Sequence, residues 1–201
     1  PAASASYMPV GAEHDVFVYI VAPLAAVSSD VRINEIMASN STTMADNFGE
    51  FDDWIELYNN GTSSVDLSGW YFTDNPANLS KWQIPQGTSL AQGDYMIFWA
   101  DEDSSQGWNH CNFKLSAAGE MLWLLDSNLA IRDSLTFGVM TTDLGYARVP
   151  NGTGPFIEQG PTFSANNNSV GIEEPGATFN VTLYPNPAGD RVNIILSNPS
   201  H

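Results

Sequence analysis

Residues Val31–Asn59 read VRINEIMASNSTTMADNFGEFDDWIELYN, which places two short apolar runs on either side of an acidic loop. The runs, Val31–Ala38 and Trp54–Tyr58, contain the β-branched and aromatic residues that are typical of strands. Each run also carries one carboxylate among apolar neighbours, Glu35 in the first and Glu56 in the second. If the two strands pair, these two carboxylates lie side by side.

Similar runs recur along the chain, and turn-forming residues such as Asn59-Asn60-Gly61 separate them. No stretch shows apolar residues at helical spacing over a helical length, so we expect little helix. Short strands repeated roughly every 8–12 residues predict an all-β sandwich or barrel. The further predicted strands are Val65–Thr73, Lys81–Ile84, Tyr95–Ala100, Met121–Asp126, Ile131–Phe137 and Leu144–Val149.

The two ends of the chain lie outside this regular pattern. The run Val16–Ala22 predicts one strand, and we interpret residues 1–30 as the end of a preceding domain or a linker. Residues 168–177 hold adjacent glutamates, a proline and two glycines, which indicate a second linker. Residues 178–201 predict two more short strands, too few for an independent core, so we interpret them as the truncated start of another domain.

The charge of the chain is strongly acidic, with 6 basic and 23 acidic residues and a net charge of −17. Nucleic acid is a poor partner for such a chain, because binding to phosphates relies on Lys and Arg. An anionic membrane surface is disfavoured for the same reason, and no apolar run is long enough to insert into a membrane. Two interpretations of the acidity stay open: a solvated surface, or carboxylates gathered around Ca²⁺.

The acidic loop between the first two strands is the better candidate for calcium. It offers several hard oxygen ligands within eight residues, and Gly49 permits a sharp turn. Its spacing does not match an EF-hand, and Asp101-Glu102-Asp103 forms a second acidic cluster. The predicted ligands of Ca²⁺, which is the one candidate cofactor, are Asp46, Glu50, Asp52 and Asp53.

The sequence gives little support to catalysis. Glu35 and Glu56 are the most plausible acid–base pair, since like charges at close range would raise a pKa. The favoured interpretation is structural: Asn34, Glu35, Asp53 and Glu56 accept hydrogen bonds from backbone donors where loops meet strands. No nucleophile elbow, phosphate-binding loop or dinucleotide fingerprint is found, so we expect no enzymatic activity.

Tryptophan and cysteine offer two further candidates for binding. The chain has six tryptophans, and Trp108 lies in the polar loop Ser104–Asn112, where it is the best candidate for an exposed, sugar-binding ring. The other tryptophans fall within strand patterns and are expected in the core. The single cysteine, Cys111, excludes a disulfide within the chain; with His110 it supplies too few ligands for zinc, so a buried thiol is expected.

The central block closely resembles the lamin tail domain in its bacterial extracellular form. The matching stretches are INEIMASN (Ile33–Asn40), DWIELYN (Asp53–Asn59), VDLSGWYFTD (Val65–Asp74), KWQIP (Lys81–Pro85), GDYMIFWAD (Gly93–Asp101), HCNFKLSAAGE (His110–Glu120) and DLGYARVPNG (Asp143–Gly152). The resemblance covers residues 31–167 and implies an immunoglobulin-like β-sandwich. It also implies an accessory module of the kind appended to secreted hydrolases and other surface proteins.

The closing stretch LYPNPAGDRVNI, Leu183–Ile194, resembles the opening of the C-terminal sorting domain used in type IX secretion. This resemblance implies export across the outer membrane of a bacterium of the Bacteroidetes type, followed by release or attachment at the cell surface. The type IX secretion machinery would then be one partner of the chain.

These observations together predict a non-catalytic, extracellular β-sandwich module of a larger secreted or cell-surface bacterial protein. Its expected work is adhesion, ligand binding or spacing, with glycans or surface proteins as partners. The alternative is a carbohydrate-binding accessory module of a secreted hydrolase.

Overall fold

The computed structural model describes residues 30–169 and the two strands Asn180–Tyr184 and Asn193–Ser197. The strand predicted at Val16–Ala22 lies outside the described residues, as does most of the predicted linker 168–177. The strands are β1 (Val31–Met37), β2 (Asp53–Asn59), β3 (Val65–Asp66), β4 (Tyr71–Thr73), β5 (Trp82–Gln83), β6 (Ser89–Leu90), β7 (Tyr95–Ala100), β8 (Glu120–Leu125), β9 (Ile131–Phe137), β10 (Gly145–Arg148), β11 (Phe156–Gln159), β12 (Asn180–Tyr184) and β13 (Asn193–Ser197).

The strands form an immunoglobulin-like β-sandwich, as the sequence predicts. One sheet has the order β11-β10-β1-β2-β7, the other has the order β5-β4-β8-β9, and the paired strands within each are antiparallel. Strands β3 and β6 form a separate short ladder, and β12 pairs with β13 as an antiparallel hairpin. Helix is limited, within the described residues, to one 3₁₀ turn at Asn167–Ser169.

The main core lies between the two sheets. Ile33 and Leu57 from the first sheet and Phe72 and Leu122 from the second belong to one buried apolar cluster. The ring of Phe98 packs edge-on against Phe72, with their centroids 5.1 Å apart. Strand β9 shows the alternation that produces this core, because every second residue from Ile131 to Phe137 is buried.

A second, smaller apolar cluster lies on the outer face of the first sheet. Met37, Trp54 and Trp99 are buried there, and Phe163 packs edge-on against Trp54 at 5.2 Å between centroids. Phe163 belongs to residues 160–168, which we call the cover segment. Because the cover segment shields this face, strands β1 and β2 are buried on both sides.

The backbone N–H and C=O groups at the bulge in β1 form hydrogen bonds with side chains from other strands. The register with β2 shifts between Ile33 and Glu35, and the N–H of Ile33 donates to Asp133 Oδ2 at 2.9 Å. Arg148 Nε donates to the carbonyl of Ile33 at 2.9 Å, and Arg148 Nη2 contacts both oxygens of Asp133 at 3.0 and 3.1 Å. This pair ties β9 of one sheet to β1 and β10 of the other.

The structure corrects the predicted strand Val65–Thr73. It is divided into β3 and β4, which belong to different sheets, by a turn in which Trp70 N–H donates to Leu67 O at 3.0 Å. Gly69 in that turn has a φ of +76°, a backbone conformation that glycine adopts without steric cost. Strands β6 and β11 were not predicted. Within the described residues, no helix is long and apolar enough to cross a membrane.

Candidate functional site

The acidic loop between β1 and β2 is shaped by its own first carboxylate. Asp46 Oδ1 accepts the N–H groups of Phe48 at 2.8 Å and Glu50 at 2.9 Å. The N–H of Asp46 donates to Glu50 O at 2.9 Å, and Gly49 takes a φ of +84° at the tip. Short polar side chains that bind the backbone in this way fix turns, so the orientation of Asp46 is set before any ligand binds.

Three of the four predicted calcium ligands meet in this loop. One carboxylate oxygen each from Asp46, Glu50 and Asp52 lies within 4.8 Å of the other two. Asp46 is only 9% exposed, and neither its Oδ2 nor Asp52 Oδ2 has a hydrogen-bond partner among the described residues. We call these three residues the acidic cluster.

The fourth predicted ligand, Asp53, is held apart from the acidic cluster. It is the first residue of β2, and its carboxylate accepts hydrogen bonds from the backbone of Leu115 and Asn40. Burial raises the pKa of Asp53 to about 7, against the lowering effect of these bonds. Asp53 therefore joins strands and loops, and the structure does not bring it together with the other three.

A second loop, between β7 and β8, contacts the acidic loop through two side chains. Gln106 Nε2 donates to Glu50 Oε2 at 2.7 Å, while its Oε1 is buried and has no partner among the described residues. The ring of Phe48 packs edge-on against His110, with centroids 6.1 Å apart. Gln106 was not predicted as part of the site, since an isolated glutamine in a polar loop carries no local signal.

The electrostatic environment of the acidic cluster is unfavourable to bare negative charge. The pKa of Asp52 is raised, first by burial and then by the charges of Asp101, Asp46 and Glu50. Lys114 opposes this shift. Carboxylates that raise one another's pKa are stabilised by a cation placed among them.

The second predicted acidic cluster, Asp101-Glu102-Asp103, does not converge. Asp101 is buried and its Oδ2 forms a hydrogen bond with His110 Nδ1, while its Oδ1 accepts the N–H of Asp103 at 2.9 Å. Asp103 Oδ1 in turn accepts the N–H of Ser105 at 3.2 Å. These carboxylates shape the loop that carries Gln106.

Glu35 and Glu56 lie side by side, as predicted, and both are fully buried. Glu35 Oε2 accepts the hydroxyl of Thr162 at 2.5 Å; Glu56 accepts Asn34 Nδ2 at 2.8 Å and the N–H of Ser164 at 2.6 Å. Burial raises the pKa of both groups, that of Glu56 to about 7. We call these two residues the covered pair, because the cover segment lies over them.

The structural interpretation of the buried polar residues is confirmed. Glu35 accepts the N–H of Thr162 at 3.2 Å, and Asn34 Oδ1 accepts the N–H of Gly152 at 2.8 Å. Together with the backbone bonds to Asp53 and Glu56, each of the four predicted residues accepts at least one backbone donor. Thr162 was missed by sequence reasoning, since it lies 127 positions from Glu35.

Trp108 is exposed, as predicted, with 53% of its surface accessible. Its ring meets the edge of Phe98 at 6.1 Å between centroids, which supports it from the core side. It borders a shallow groove of about 380 Å³. The residues that line this groove are Pro85, Gln86, Gly87, Thr88, Ser89, Met96 and Trp108.

Cys111 is a buried thiol, as predicted. It is fully buried in the main core, and burial raises its pKa well above the ordinary value, so it stays neutral. The Nδ1 atom of its neighbour His110 forms a hydrogen bond with Asp101. Neither residue belongs to the acidic cluster.

Comparison with known proteins agrees with this fold. No curated protein matches the chain. The lamin tail domain matches residues 25–138, which include β1 to β9, the acidic cluster and both members of the covered pair. This stretch is more than half of the 201 residues, so the chain belongs to the lamin tail domain family.

Proposed function

We propose that this domain is a non-catalytic module of a larger secreted or cell-surface bacterial protein, where it serves adhesion, ligand binding or spacing. The observation that carries the proposal is the lining of the groove beside Trp108, whose side chains are aromatic, apolar or neutral and polar. None of these seven residues has a side chain that acts as an acid or base near neutral pH. Such a groove suits contact with a ligand and supplies no acid–base chemistry.

The covered pair supports the same proposal. Glu35 and Glu56 have the proximity of an acid–base pair, and burial brings the pKa of Glu56 to about 7. Both are 0% exposed, and Thr162 and Ser164 of the cover segment occupy their oxygens. A catalytic group must touch its substrate, so the burial of both carboxylates supports a structural role for them.

A second candidate function, carbohydrate binding in the service of an attached hydrolase, is favoured by Trp108. Its ring combines an exposed face with a fixed position against Phe98, which suits stacking on the apolar face of a sugar ring. Gln86 and Ser89 on the same groove are exposed and supply polar groups for sugar hydroxyls. An uncharged polysaccharide fits this lining better than an acidic one, because the chain has a net charge of −17.

Affinity electrophoresis tests the carbohydrate proposal. The 201-residue chain is run through gels that contain cellulose derivatives, xylan, mixed-linkage glucan or mannan, and we expect at least one to retard it. Trp108→Ala should remove the retardation and Trp108→Phe should retain part of it. Ile157→Ala is the matched control, since Ile157 is also exposed, at 43%, and lies on β11 outside the groove. Equal retardation of Trp108→Ala and the wild-type chain would reject the groove.

The non-catalytic proposal has a separate test. The same polysaccharides are incubated with the chain and assayed for released reducing ends, and we expect no release above the buffer control. Release by the wild-type chain that disappears in Glu56→Gln would overturn the proposal.

The extracellular localisation of the parent protein is inferred from Leu183–Ile194, which resembles the opening of a type IX sorting domain. The backbone of this region contains the hairpin β12–β13. We expect the parent protein on intact cells to be cleaved by added protease. A strain without type IX secretion should keep it protected inside the cell, and unchanged surface cleavage in that strain would exclude this route.

A further inference from the structure

We propose that Asp46, Glu50, Asp52 and Gln106 bind one Ca²⁺ ion, which joins the loop between β1 and β2 to the loop between β7 and β8. The first observation is convergence: one oxygen from each carboxylate lies within 4.8 Å of the other two. Gln106, 56 positions from Glu50 in the chain, adjoins them through its Nε2, and a turn of its amide group would present Oε1 to the metal instead. The metal would therefore connect two distant segments.

The second, independent observation is a set of buried oxygens without partners. Asp46 is nine-tenths buried; its Oδ1 accepts two backbone N–H groups, while its Oδ2 accepts none among the described residues. Asp52 Oδ2 and Gln106 Oε1 are also buried and also have no hydrogen-bond partner among the described residues. Buried polar atoms are normally paired, so these three unpaired oxygens, on residues of the cluster and on Gln106, point to a ligand that accepts lone pairs.

The chemistry of the donors selects the metal. Three carboxylates and one amide oxygen form an all-oxygen set, which suits Ca²⁺, whose six to eight oxygen ligands tolerate irregular geometry. Mg²⁺ demands a near-ideal octahedron and retains several waters. Zn²⁺ favours the nitrogen and sulfur ligands that this group lacks, since His110 is bonded to Asp101 and Cys111 lies in the core.

The loop itself holds the carboxylate of Asp46 in one orientation. The two N–H bonds to Asp46 Oδ1 fix its carboxylate, and Gly49 at a φ of +84° lets the chain turn from Asp46 to Glu50. Ca²⁺ would neutralise most of the repulsion within the cluster and hold Gln106 in place. This site does not depend on what binds the groove beside Trp108.

Calorimetry and thermal melting of the full 201-residue chain test the proposal. The chain is stripped with EDTA, dialysed into metal-free buffer and titrated with CaCl₂, with MgCl₂ in parallel. We expect one Ca²⁺ per chain and a saturable rise in Tm of roughly 5–10 °C at about 100-fold saturation. A larger response to Mg²⁺, or no heat and no shift at 10 mM Ca²⁺, would overturn the proposal.

Three variants separate specific binding from screening of the net negative charge. Asp46→Asn should weaken Ca²⁺ binding at least about tenfold, because it replaces a charged ligand with a neutral one. Gln106→Ala should weaken it less; it leaves the turn intact and decides the question if Asp46→Asn fails to fold. Asp94→Asn removes one exposed negative charge outside the cluster and should bind as the wild-type chain does. Equal affinities in all four proteins would overturn the proposal.

Discussion

The acidic cluster and the covered pair belong to the same strand–loop–strand unit, β1 to β2, and differ in what surrounds their carboxylates. Glu35 and Glu56 are fully buried, yet the cover segment and Asn34 supply donors to their oxygens. Asp46 is buried almost as deeply, and its Oδ2 has no donor among the described residues. Burial alone therefore does not distinguish a structural carboxylate from a ligand for a cation; the donors around it do.

The comparison also separates two ways of stabilising negative groups. The covered pair is stabilised by neutral donors, and burial raises the pKa of both of its carboxyl groups, that of Glu56 to about 7. The acidic cluster is inferred to be stabilised by a divalent cation. The first device responds to pH and the second to calcium, so the two can be tested separately in one molecule.

The largest expected effect is that of Glu56→Ala, which breaks the covered pair. It removes the acceptor of Asn34 Nδ2 and of the Ser164 N–H, and it leaves a cavity beneath the cover segment. We expect the free energy of unfolding to fall by about 4 kcal/mol, from two weakened bonds and a lost buried side chain. Urea unfolding should give the same loss in EDTA and in CaCl₂. A loss below about 1 kcal/mol would show that the pair is not structural.

A pH titration of stability is expected to show the next largest effect. Burial, followed by the charge of Glu35, raises the pKa of Glu56 from 4.5 to about 7, so the folded chain retains a proton that the unfolded chain releases. The resulting stability is complete below pH 4.5 and is lost as the pH rises through 7, by about 3 kcal/mol. Tyr95 also faces Glu56, while the cover segment contributes no charged side chain.

The matched control for this titration is Glu56→Gln, which keeps the shape of the side chain and does not titrate. Repulsion among the other carboxylates changes with pH in both proteins, so the difference between their unfolding free energies isolates residue 56. That difference should vary by about 3 kcal/mol between pH 4.5 and pH 7.5. Parallel profiles would mean that Glu56 is ionised throughout this range.

A smaller effect is expected for Thr162→Val, which removes a single donor from the covered pair. The hydroxyl of Thr162 lies 2.5 Å from Glu35 Oε2, while its backbone N–H would still reach the same carboxylate. We expect the free energy of unfolding to fall by about 1 kcal/mol at neutral pH. Thr142→Val is the control, because the Thr142 hydroxyl bonds Ser39 in an exposed position. Equal losses in both variants would count against a special role for the cover segment.

Local pattern predicts well a strand whose residues alternate, such as β9, and one that forms a short apolar run between turn residues, such as β7. The predicted strands Tyr95–Ala100 and Ile131–Phe137 coincide with β7 and β9. The predicted strand Val65–Thr73 failed because its apolar residues continue through a turn at Gly69, after which the chain changes sheets. Strand β11, with two exposed residues among its four, lacks the apolar pattern that sequence reasoning requires.

The same distinction applies to the candidate site. Asp46, Glu50 and Asp52 lie within seven residues of one another, so their grouping could be predicted from sequence. Asp53 could not be excluded, because the start of β2 was placed one residue later and its bonds to Leu115 and Asn40 depend on the fold. Gln106 and Thr162 reach their partners across 56 and 127 positions, and local pattern carries no information at that range.

The smallest expected effect is that of Asp52→Asn in EDTA, and its sign is opposite to the others. Without a cation, Asp52 is a negative group beside Asp46, Glu50 and Asp101, and its removal relieves repulsion. We expect a rise in the free energy of unfolding of less than about 1 kcal/mol, since the site is partly exposed and screened. In CaCl₂ the same variant should be less stable than the wild-type chain, because it has lost a ligand. Asp52→Asn would then stabilise the metal-free chain and destabilise the calcium-bound chain, whereas Glu56→Ala destabilises the chain in both conditions. This difference would distinguish the acidic cluster from the covered pair. A loss of stability in EDTA as well would make Asp52 a structural carboxylate like Glu56.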